Sequence, residues 1–135
     1  MNKSDEIIEP PVDLFRRGET HHLLVDLPGI SADDVRLWVD DRDVIVEAAC
    51  HDVTASGDDL VLVERPTGRW RRRIRLPDDA DPSTLVGDCT HGVLHIVASV
   101  GRPDEPPAAG RQHVEIGSGE TLVAPADNKG ASREN

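Results

Sequence analysis

Apolar residues recur at every second position along this chain, in short runs broken by turn signals every ~8–12 residues. Leu23, Val25 and Leu27 alternate with His22, Leu24 and Asp26. Val35, Leu37 and Val39 alternate with Arg36 and Trp38, and Leu94, Ile96, Ala98 and Val100 share one side of the run that starts at Val93. Strand side chains point alternately to two faces, so each run describes a strand with one face buried and one wet. No segment holds the spacing of a long amphipathic helix. The pattern predicts seven or eight short strands in an all-β, immunoglobulin-like antiparallel β-sandwich.

The punctuation between the runs agrees. Gly18-Glu19 reads as a turn, and Asp40-Asp41-Arg42-Asp43 joins Val35–Val39 to Val44-Ile45-Val46 in a hairpin. Leu27-Pro28-Gly29 ends a strand, because proline removes a ladder donor and glycine admits positive φ. Ser31-Ala32-Asp33-Asp34 predicts one helical turn, capped by serine and suited to aspartates at its start. Leu60-Val61-Leu62-Val63, at the end of a long polar connection from Cys50, is a further candidate strand.

Gly68 to Pro77 carries five of the fifteen basic residues. Read as a strand, it places Trp70, Arg72, Ile74 and Leu76 on one face and Arg69, Arg71, Arg73 and Arg75 on the other. Four arginines on a wet face are ordinary. Arg72, in step with the apolar residues, must meet a carboxylate or carbonyls, since an unpaired buried charge is costly.

Hydrophobic residues make up 37% of the 135 and aromatics 2%, so the core must be built from Val, Leu and Ile. That suits one small domain with flexible tails. Residues 1–11 read as a short disordered arm and 12–100 as the domain. Residues 101–135 read as a flexible extension too poor in apolar residues to order. One β-branched island interrupts it, Val114-Glu115-Ile116.

The net charge of −11 argues against nucleic acid or an anionic membrane as partner, despite the arginine run. No apolar stretch approaches the ~20 residues of a membrane span. The first residues lack a secretory signal, and Cys50 and Cys89 do not make a disulfide framework, so a cytoplasmic protein with reduced thiols is expected. No cofactor, metal site or catalytic residue is expected. His21 and His22 are adjacent and would diverge on a strand, His91 and His95 straddle a turn, and no zinc spacing, phosphate loop or nucleophile elbow occurs.

In chain order, Pro11-Val12-Asp13, Asp26-Leu27-Pro28-Gly29 with Asp33-Asp34-Val35, Glu64-Arg65 before Gly68-Arg69-Trp70, Arg72 to Pro77, and Gly92-Val93-Leu94 form a set. With Val114-Glu115-Ile116 behind it, the set resembles the small heat-shock protein / α-crystallin family. The resemblance covers about Pro11 to Val100 and the tail island. It implies an α-crystallin domain and an ATP-independent holdase that binds non-native client proteins. It further implies a homodimer, with larger oligomers built through the tail.

By the same resemblance, Val114-Glu115-Ile116 is an anchor received in trans by a groove between Val35, Leu37 and Val39 on one side and Leu85 to Cys89 on the other. Leu60, Val61, Leu62 and Val63 match a strand that swaps to the partner. Arg72 matches an inward-facing arginine tied to dimer integrity. Family members carry a longer, apolar N-terminal arm, where this chain has polar residues. That difference leaves an alternative of another class, a structural or adaptor module with one dedicated partner.

Overall fold

The computed structural model describes residues 7–102 and 110–117. Ten strands form two five-stranded sheets. The strands are β1 (Ile7–Ile8), β2 (Val12–Arg17), β3 (Thr20–Asp26), β4 (Val35–Asp40) and β5 (Asp43–Cys50), then β6 (Gly68–Arg75), β7 (Val86–Thr90), β8 (Val93–Ser99), β9 (Arg111–Val114) and β10 (Ile116–Gly117). One sheet runs β1-β6-β5-β4-β9 and the other β10-β7-β8-β3-β2. The chain is therefore a β-sandwich, with only two single 3-10 turns, Ala32–Asp34 and Pro82–Thr84, as helical structure among the described residues. The short terminal strands β1 and β10 pair in parallel with β6 and β7, where all other pairs between strands are antiparallel.

The core is the sum of the predicted inner faces. Leu23, Val25, Val35, Leu37, Val44, Val46, Leu94 and Ile96 are buried in one aliphatic cluster, closed at one end by Trp70. Ser31 caps the first 3-10 turn by accepting from the Asp33 amide at 3.2 Å. His91 and Gly92 both take positive φ (55° and 77°) in the β7–β8 hairpin. Gly92 is also pressed against Leu27-Pro28-Gly29: a Cβ there would stand 3.4 Å from the Pro28 Cα. The Leu27 amide donates to the Gly92 carbonyl at 2.7 Å, so two turns far apart in sequence lock together.

Two expectations need correction. Ile7–Ile8, placed in a disordered arm, forms β1 along the edge of β6, and Pro10 behind it is almost fully buried. The run Leu60–Val63 is no strand here. All four side chains are exposed, with Val61 94% accessible, because no described strand lies beside them.

Candidate functional site

The most function-like feature is a groove where the two sheets meet, between β4 and β7. The chain's own tail fills it. β9 pairs antiparallel with β4, putting Val114 opposite Leu37 and Gln112 opposite Val39. β10 pairs parallel with β7, putting Ile116 opposite Gly87 and Gly117 opposite Asp88. Val114 and Ile116 pack against the core, while Glu115 between them is exposed. An extended segment thus adds to one edge of each sheet within a few residues, the pattern of β-strand addition.

The expected groove residues fall on both walls. Leu37 and Val39 are in register with the tail, and Val35, buried, lies one inward step further along β4. On the other wall Leu85 is half-buried and Cys89 buried, flanking Gly87. Gly87 was not singled out from the sequence. A Cβ on it would stand 2.9 Å from the Leu37 Cδ2, so Leu37 keeps this position beneath the tail because residue 87 has no side chain. An isolated glycine within a strand run was the available signal. Burial also pushes the Cys89 thiol pKa up, which makes it a packing group rather than a nucleophile.

Arg72 takes the inward file that alternation predicts. On β6 it lies opposite Val46, between Trp70 opposite Ala48 and Ile74 opposite Val44, and those three β5 residues are buried. Its guanidinium donates to the Pro10 carbonyl at 3.0 Å, so the partner is a backbone oxygen from the N-terminal segment. The outward arginines meet acids on β5 and β4. Arg73 bonds Asp43 at 2.7 Å, Arg75 bonds Asp43 at 3.3 Å, and Arg71 lies 3.2 Å from Glu47.

The Hsp20/alpha crystallin family model matches residues 13–117. The chain belongs to this family. Among curated relatives it is 27% identical over 109 residues to a 17.7 kDa class II heat shock protein of Arabidopsis thaliana, covering 78% of this chain and 70% of the relative. It is 33% identical over 98 residues to a 16.9 kDa class I heat shock protein of Triticum aestivum, covering 69% of this chain and 65% of that one. A solved small heat-shock protein from Xylella fastidiosa superposes with a TM-score of 0.63 at 27% identity, over 75% of this chain and 94% of the other. Small heat-shock proteins are chaperones that form homo-oligomers and bind non-native proteins, and they are not enzymes. No helix among the described residues is long and apolar enough to cross a membrane.

This small heat-shock protein also carries a histidine pair that sequence spacing did not reveal, on the outer face of β3 and β8. The Thr20 hydroxyl donates to the Arg17 carbonyl at 2.9 Å, so towards His22 Nε2, 2.8 Å away, it accepts. His22 then bears its proton on Nε2, and its Nδ1 accepts from His95 Nε2 at 2.9 Å. Phe15 stacks on the other side of His22. His21 turns away to Asp79 at 2.8 Å, and the described residues hold no cluster of three metal-ligating side chains.

Burial lowers the His95 pKa against an opposing pull from Asp88, and Arg17 lowers it further. A depressed histidine stabilises the fold fully above the unfolded value of about 6.5. That stability is lost as pH falls through the folded value. The melting temperature should therefore drop between pH 7 and pH 5. His95→Gln should flatten part of that drop, which a set of melts at half-unit pH steps reads directly.

Proposed function

We propose that this protein is an ATP-independent holdase that captures unfolding proteins and suppresses their aggregation. The observation that carries this reading is the β4–β7 groove, which accepts an extended Val-x-Ile segment through backbone pairing on two edges and apolar burial between them. Extended apolar segments of unfolding proteins present the same chemistry. Nothing in the pairing requires groove and tail to belong to one chain, so the same geometry serves a second copy's tail and builds oligomers. Leu60–Val63 supplies the dimer contact: an exposed apolar run needs a partner, and β2 is an edge strand with no neighbour on its outer side among the described residues.

Two measurements test this reading. Heat-induced light scattering of a labile client should fall at equimolar subunits, and unchanged scattering rejects the holdase. Size-exclusion chromatography with light scattering should show the full chain as a dimer or larger, and a chain ending at Val100 as a smaller species. Identical sizes would mean the tail joins nothing.

One observation favours a second reading, an adaptor with a dedicated partner. With the groove closed by the chain's own tail, Leu60–Val63 is the longest exposed apolar run among the described residues. Recovery of one native partner at fixed stoichiometry, without protection of unrelated clients, would select the adaptor.

A further inference from the structure

The outer face of the β6-β5-β4-β9 layer is arginine-rich in an acidic chain. Across the strands the rows read Arg71–Glu47–Arg36, Arg73–Ile45–Trp38–His113 and Arg75–Asp43–Asp40–Arg111, with Arg69 opposite Ala49 at the end. Six arginines therefore face three carboxylates, while the whole chain carries −11. Most of these charges are spent on each other. Asp43 holds Arg73 and Arg75, and Glu47 lies 3.2 Å from Arg71 and 3.8 Å from Arg111. Among the described residues, Arg36 and Arg69 form no hydrogen bond or ion pair.

Those two arginines border a recess of about 320 Å³. Of its two alanines, Ala48 and Ala49, Ala49 is on the outward file, with Arg36 on β4 and Arg69 on β6 to either side and Glu47, Asp34 and His51 also bordering it. His51 Nε2 lies 3.6 Å from Asp34. Trp70 borders the recess from the neighbouring position on β6, with its own side chain turned into the core and only 6% exposed. Two free guanidinium forks are built for a planar two-oxygen acceptor.

We propose that this recess binds a carboxylate side chain of a bound polypeptide, clamped between Arg36 and Arg69. A single carboxylate fits better than a phosphate chain or nucleic acid, because Asp33, Asp34 and Glu47 around the rim repel the neighbouring charges of a polyanion. The recess lies on the outer face, apart from the β4–β7 groove, so one polypeptide can present apolar residues elsewhere and an aspartate or glutamate here. The inference rests on the reading that this protein binds polypeptides, and it narrows the preferred client to segments that place acidic residues beside apolar ones.

The test uses the full chain labelled with nitrogen-15, whose two tryptophans give two indole signals. The probe is a blocked hexapeptide alternating valine and glutamate. Binding should move the Trp70 indole signal, and the glutamine version of the peptide should bind at least tenfold more weakly. R36Q/R69Q, two exposed-face changes, should erase that preference, and Ala49→Leu, which fills the recess without touching a charge, should do the same. Equal binding of the two peptides to the unaltered chain overturns the proposal, as does a glutamate preference that survives both variants. Inorganic phosphate moving the Trp70 signal at a lower concentration than the peptide overturns the carboxylate assignment. Client scattering in the same preparations keeps the two readings apart. Loss of client protection with the peptide preference intact rejects the holdase alone, and protection without the preference rejects the recess alone.

Discussion

Leu37→Ala is expected to cost the domain about 3 kcal/mol and to free the tail from its groove. Leu37 is fully buried, belongs to the main aliphatic cluster, and stands opposite Val114. Its δ-methyl occupies the space that Gly87 leaves open, so truncation opens a cavity between the two sheets directly beneath the tail. For a domain of this size the loss corresponds to a fall in melting temperature of about 12–24 °C. Protection of the Val114 and Ile116 amides against hydrogen exchange should fall further than that of β3 or β8. Val39→Ala is the control. Val39 lies on the same wall, opposite Gln112, but is half-buried, so its truncation should cost under about 1.5 kcal/mol. Equal losses at the two positions would show that the groove floor contributes nothing particular.

Arg72→Gly should destabilise the protein by about 2 kcal/mol more than Arg71→Gly. Both residues sit in the middle of β6, so the backbone cost of glycine in a strand is common to both and cancels in the comparison. What differs is the environment. Arg72 lies in the inward file and donates to the carbonyl of Pro10, a residue that is itself buried, so its loss strands an acceptor and loosens the hold on β1. Arg71 points outward to a half-exposed Glu47 at 3.2 Å, and such pairs are worth little. Arg72→Gly should also raise aggregation on heating, read by light scattering. If the two glycine variants melt together, the inward placement of Arg72 has no energetic meaning.

The inner faces were legible because a strand's period of two maps each residue to a side without reference to its neighbours. Leu23, Val25, Leu37 and Ile96 are buried as their alternation requires. What escaped depends on neighbours. Ile45 belongs to the wet face by alternation, yet it is 0% exposed, because Trp38 and Arg73 in register on either side cover it. Ile7–Ile8 is too short to show a period, and its pairing is visible only once β6 is in place. Leu60–Val63 has strand composition without a strand beside it, and composition cannot report a missing partner. His22 and His95 meet at 2.9 Å across 73 residues of chain. Within the groove, the β4 wall could be read from its pattern. The Gly87 and Asp88 positions that pair with the tail are backbone contacts, to which the side-chain pattern is blind.

The two halves of the tail hold to different sheets, with Glu115 as the only residue between β9 and β10. The two faces of a sandwich are otherwise joined by side-chain packing, which yields gradually under shear. A backbone segment bonded to both acts as a rivet across that seam. Its departure should be a single event, because spreading the sheets strains both halves at once and releasing one half leaves the other with too few bonds to stay. Subunit or client exchange at this seam would then be a first-order process with a steep temperature dependence, set by the rivet's escape and independent of how much competitor waits outside.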